Sequence, residues 1–154
     1  MFEPGEVVYA YVKNIHKPKF KYFVTIYQDD ELRIVTCFTT TKNYHVGYDF
    51  NQLTHGYIKR ENKIVGYFFD MNVEVGMDEA NQPFKFPLNC VIPFDYGVQE
   101  ATKEQFLKNI EQEKVVCKLH PQEYQDIVYA MYKSPNTNPK YKPYLDKVLQ
   151  RICQ

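Results

Sequence analysis

His16, Lys17, Lys19 and Lys21 stand close together in the chain, and Thr39, Thr40, Thr41 and Lys42 follow beyond a short apolar segment. An imidazole can take or give a proton near neutrality, an ammonium can neutralise a phosphate, and a hydroxyl can hydrogen-bond a phosphate oxygen. Metal-independent RNA cleavage asks for that combination: a base for the 2′-hydroxyl, a cation for the charged phosphorane and an acid for the leaving oxygen. His16 is the candidate acid or base, Lys17 the candidate cation, and Thr39 and Thr40 the candidate hydrogen-bond donors. Lys19, Lys21, Thr41 and Lys42 extend the set as RNA contacts. Tyr44 and His45, just beyond, offer a ring that stacks on a base and a second imidazole. These residues also have plain structural readings. Lysines alternating in KPKFK suit the solvent face of an edge strand, where they block edge pairing, and threonines are good strand formers.

The two groups become neighbours only if the segment between them folds back on itself. Tyr22 to Tyr27 and Leu32 to Phe38 are aromatic and β-branched runs, and Asp29-Asp30-Glu31 between them is a turn. The spacing predicts a β-hairpin that brings the lysine lead-in and the threonine exit to one end. Before it, EVVYAYVKN after Gly5 reads as a first strand, and Pro18 bars helix in the connection. After it, the alternation of Tyr44, Val46, Tyr48 and Phe50 hints at a short strand or an extended loop. Tyr57-Ile58, a turn at Lys59 to Asn62, and Ile64 to Phe69 read as a second hairpin, with Gly66 marking a bulge or a close backbone approach. Phe84 to Phe94, broken by Pro87 and Pro93, reads as an edge strand. Six or seven short strands separated by polar turns point to a small barrel.

The pattern then changes to helical. Thr102-x-x-Gln105 is a capping box, with Phe106, Leu107, Ile110 and Lys114 at helical spacing behind it. Pro121 opens a helix with an apolar stripe of Tyr124, Ile127, Val128, Met131 and Tyr132. Pro143 opens another, through Tyr144, Leu145, Val148, Leu149 and Ile152. The expected fold class is therefore α+β: a barrel over 1–100 and C-terminal amphipathic helices over 101–154, packed as one compact unit.

Composition narrows the function classes. Nineteen basic and nineteen acidic residues give no net charge, so any polyanion site has to be a local patch. Arginine occurs only at positions 33, 60 and 151, which leaves phosphate contacts to lysine. Four scattered cysteines without a CxxC pair argue against both a metal cluster and a disulfide scaffold. Reduced, buried thiols and the lack of a long apolar run predict a cytoplasmic protein with no membrane partner. No Gly-rich phosphate loop, GxSxG elbow or HExxH is present, and no metal or other cofactor is expected.

The order GEVVYAYV, a loop, KYFVTI, a turn, ELRIVTCFTTT and finally VIPFDYGVQEATKEQFLKNI resembles the PemK/MazF-like toxins over roughly the first 110 residues. The likeness is one of order and texture, with no single motif identical. It implies an SH3-like barrel and an endoribonuclease of a bacterial toxin–antitoxin system. It also implies an antitoxin protein as partner, a homodimer, and RNA as substrate. The family's arginine-containing loop before the second strand falls on His16 to Lys21, which holds histidine and lysine but no arginine. Its Thr/Ser position falls among Thr39, Thr40 and Thr41. The alternative is a catalytically inactive SH3-like barrel that binds a protein or nucleic-acid partner through its aromatic groove.

Overall fold

The computed structural model describes residues 1–31, 33–43 and 46–153. In chain order the strands are β1 (Glu6–Val12), β2 (Lys19–Gln28), β3 (Arg33–Phe38), β4 (Gly56–Arg60), β5 (Lys63–Phe69), β6 (Gly76–Met77), β7 (Pro83–Phe84), β8 (Cys90–Pro93), β9 (Val98–Thr102) and β10 (Ile110–Leu119). The helices are α1 (Lys103–Asn109), α2 (Pro121–Lys133) and α3 (Lys142–Ile152).

The α+β class holds, built on two antiparallel sheets. The larger has the order β7-β6-β10-β1-β2-β3-β9 and ends in free edges at β7 and β9, so it is open. The smaller is β4-β5-β8, tied to the first by a bridge between Thr40 and Val91. The described residues form ten strands where six or seven are expected. The β2–β3 hairpin forms where its sequence predicts. Asp29 closes the turn, its Oδ1 accepting the amides of Glu31 and Arg33 at 3.0 Å each.

Side-chain alternation gives the main sheet two buried faces. On one, Val8, Ala10, Val12, Phe23 and Ile34 pack with Phe2 and with Phe106 of α1. On the other, Val7, Val24, Val35 and Cys37 pack against Ile127, Val128 and Met131 of α2, Leu145 and Val148 of α3, and Phe69 and Ile92 of the small sheet. Each fully buried aliphatic or phenyl side chain contributes roughly 1.5–3 kcal/mol, so burial on both faces stabilises the sheet between its layers. The predicted stripes of α2 and α3 are the residues that face this core. Gly66 is the predicted close approach: a Cβ there would lie 2.6 Å from the Ile92 carbonyl oxygen.

Three expectations are corrected. The helix started by the Thr102 capping box stops at Asn109, and residues 110–119 form β10, which pairs with β1 from Val12↔Ile110 to Glu6↔Lys118. Ile110 and Lys114 have helical spacing, but Val115, Val116 and Cys117 favour extended chain, and the open edge of β1 decides between them. A bulge between Tyr9 and Tyr11 in that pairing is absorbed by Gln112, which takes a left-handed φ of 55°. Residues 101–154 are thus not helices alone, because a central strand of the main sheet lies among them. Phe84 to Phe94 is two strands in different sheets, β7 and β8, rather than one edge strand. Val46 to Tyr48 turn, and Phe50–Gln52 form a single 3-10 turn instead of a strand.

Candidate ligand pocket at the open end of the hairpin

Where β2 begins and β3 ends, the chain leaves a pocket of about 280 Å³. The end of β1, the turn between β8 and β9, and α1 complete its walls. Its floor is apolar, formed by Val12, Ile15, Phe38, Pro93, Phe106 and Ile110. Its polar groups are Lys21, Thr39, Thr40 and Tyr96, together with the amides of Asn14, Gln99 and Asn109.

Each wall has a local cause. Phe106 reaches the floor because α1 starts where it does: Thr102 Oγ1 accepts the Gln105 amide at 3.2 Å, and Gln105 Oε1 accepts the Thr102 amide at 2.9 Å. Asn109 is held at the rim by donating to the Gln105 carbonyl at 2.9 Å, and its own carbonyl accepts the Lys13 amide. Gly97 lets the far wall close. Its amide donates to the Pro93 carbonyl at 2.9 Å and its carbonyl accepts the Phe38 amide at 2.7 Å. A Cβ at that position would sit 2.4 Å from the Pro93 oxygen.

The hydroxyls differ in what they offer. Thr39 is buried, and both its amide and its Oγ1 donate to the Tyr22 carbonyl, at 3.1 and 3.3 Å. Its proton is therefore committed, which leaves Thr39 as a structural clamp between β2 and β3. Thr40 Oγ1 only accepts, from the Lys42 amide at 3.2 Å, so among the described residues its hydroxyl proton is available to a ligand. Lys21 is half-buried; desolvation, and then the nearby charges of Lys19 and Lys42, push its ammonium below the usual lysine range.

No protein-family model matches this chain, and neither curated proteins nor solved structures give a significant match.

The structure thus brings Lys21, Thr39 and Thr40 to one pocket and sets Lys19 and Lys42 close enough to Lys21 to act on its charge. His16 and Lys17 do not line it; they are exposed in the β1–β2 connection. Thr41 is exposed beside Lys42. Tyr44 and His45 lie outside the described residues. Sequence reasoning missed Asn14, Gln99 and Asn109, because an isolated amide carries no periodicity or spacing that marks it. Among the described residues no cluster of three His, Cys, Asp or Glu side chains is placed to hold a metal ion. Among the described residues no helix is long and apolar enough to cross a membrane.

Chemically, the described residues give the pocket an apolar floor, a rim of amides, the Lys21 ammonium and the Thr40 hydroxyl. That set suits a flat heterocycle carrying a nearby anionic group.

Proposed function

We propose that this pocket binds one nucleotide unit of single-stranded RNA, and that the protein is a PemK/MazF-like, toxin-type RNA-binding protein of SH3-like ancestry working in the cytoplasm. The base lies on the floor between Phe38 and Phe106, the rim amides read its edge, and Lys21 and Thr40 take the adjoining phosphate. The observation that carries the reading is that an ammonium and an uncommitted hydroxyl share one cleft with an apolar floor. Lys19 and Lys42 extend the positive field for neighbouring phosphates. The toxin-type reading brings an antitoxin segment and a homodimer with it, each of which would compete for or complete this surface. Binding of a labelled oligoribonucleotide by the wild-type chain and by Asn109→Ala tests the proposal. Weaker binding by the variant is expected, and equal binding would refute it.

Cleavage is a second reading, favoured by Lys21 and the Thr40 hydroxyl lining one pocket. In it the Lys21 ammonium stabilises the charged phosphorane, in place of the exposed Lys17. Loss of a single-turnover cut in Lys21→Met, beyond its loss of binding, is the result this reading requires.

A further inference from the structure

A second cleft, of about 490 Å³, lies between α2 and the β4–β5 hairpin. Tyr57 and Tyr67 stand directly opposite each other in the β4–β5 register and share one side of the sheet. Glu123, Asp126 and Tyr129 follow one another at three-residue spacing along α2 and line the other wall. Two exposed aromatic rings, those of Tyr57 and Tyr129, and two carboxylates therefore border one space, with the buried Tyr67 behind them.

The carboxylate of Glu123 is fixed there. Its Oε1 accepts the Tyr67 hydroxyl at 3.0 Å and faces His55 Nε2 at 2.5 Å. His55 Nδ1 accepts the Asp70 amide at 3.1 Å, so Nε2–H is the donor to Glu123. Both imidazole nitrogens are thus engaged, and His55 orients the carboxylate instead of offering a proton to a substrate. Tyr67 keeps its proton as well, because burial and then the neighbouring Glu123 charge push its phenol far up. His55, Glu123 and Tyr67 are thus held by one another and not free for acid–base work. The cleft is built to hold charge still.

A separate observation indicates which ligand it suits. The ring of Tyr57 already carries the Lys59 ammonium at 5.6 Å from its centroid, and that of Tyr129 carries Lys133 at the same distance. Both rings at the mouth are therefore placed where ammonium groups settle on aromatic faces. Tyr57 and Tyr129 are 56% and 52% exposed, so surface remains for a visiting group beyond what Lys59 and Lys133 cover. The aromatic ladder of Tyr9, Phe20 and Tyr22 on the main sheet is different. Its rings lie against one another at 4.5–5.1 Å, so their faces are largely taken up.

We propose that the cleft between α2 and the β4–β5 hairpin is a binding site for a methylated ammonium group, held between the exposed rings of Tyr57 and Tyr129 and neutralised by Glu123 and Asp126, with the buried Tyr67 fixing Glu123 behind them. A quaternary ammonium suits it better than a bare one, because it loses less hydration on entering and spreads its charge over methyl groups that contact the rings. The site is independent of the RNA pocket and stands whether or not RNA binds.

The test uses the full chain, with choline and its neutral isostere 3,3-dimethyl-1-butanol as probes, followed by amide NMR shifts. Choline is expected to shift Gly56, Tyr57, Asp126 and Tyr129 and to bind roughly tenfold more tightly than the isostere. Tyr129→Ala should weaken choline about fivefold or more while Tyr129→Phe retains it, because the ring and not the hydroxyl makes the contact. Asp126→Asn should weaken choline and leave the isostere unchanged. Equal binding of the two probes, shifts elsewhere, or an unchanged Tyr129→Ala would overturn the proposal. Because Tyr129 is half exposed, an unaltered unfolding midpoint separates lost binding from lost structure.

Discussion

Replacing Lys21 with Met removes the cation that lines the hairpin pocket among the described residues and keeps a side chain of similar length. If Lys19, Lys21 and Lys42 each neutralise one phosphate, and each contact on a single strand adds about −0.7 to the log–log salt slope, the wild-type slope is about −2. Lys21→Met should then give about −1.4. A half-buried ion pair is worth about 1 kcal/mol, so affinity at fixed moderate salt should fall about fivefold, with no dependence on RNA sequence. The fold should not suffer. The substitution removes an ammonium disfavoured by burial and by two neighbouring lysines, so the urea midpoint should stay or rise. Fluorescence anisotropy with a labelled oligoribonucleotide across a salt series measures both slope and affinity. His16→Ala, in the exposed connection, serves as control and should change neither. An unchanged slope in Lys21→Met, or a larger effect from His16→Ala, would show that Lys21 takes no phosphate.

Gly97→Ala should destabilise the chain by about 2 kcal/mol in urea denaturation, because its Cβ meets the Pro93 carbonyl at 2.4 Å and the wall must shift. Thr102→Ala should cost about 1 kcal/mol by removing one half of the capping box, and fraying α1 should raise amide exchange at Phe106 and Asn109. In the native chain at pH 8, an aromatic disulfide reagent should label Cys153 rapidly and spare the other three. Burial pushes the Cys90 and Cys117 thiols up to about 12 and Cys37 higher still, so each stays protonated and inert. The same shifts set an alkaline limit. These groups and the Tyr67 and Tyr124 phenols hold their protons more tightly folded than unfolded, so their stabilisation is complete below the ordinary thiol value of 9.0. Stability should therefore fall as pH rises beyond it.

Much of the fold could be read from sequence where local chemistry and tertiary contacts agree. The β2–β3 hairpin has strand formers on both arms and Asp29 in the turn, and the stripes of α2 and α3 match the faces they bury. The reading fails where tertiary context decides. Ile110 and Lys114 continue a helical spacing, yet the chain pairs with β1 because that edge would otherwise stay open. Pro87 breaks one apolar run into β7 and β8, whose partners lie in different sheets, and no local signal says so. The candidate site was half legible. Register alone brings Lys21 beside Thr39 and Thr40, because they flank one hairpin. Their amide neighbours come from three other elements, and His16 turns to solvent in a connection whose course the sequence does not dictate.

All of this turns on a nucleotide entering the pocket floored by Phe38 and Phe106. The most direct measurement is a ¹H–¹⁵N NMR titration of the full chain with a short single-stranded RNA. Saturable shifts at Lys21, Thr40, Gln99 and Asn109 are the predicted result. Shifts absent from these four, or confined to the exposed connection around His16 and Lys17, would contradict it.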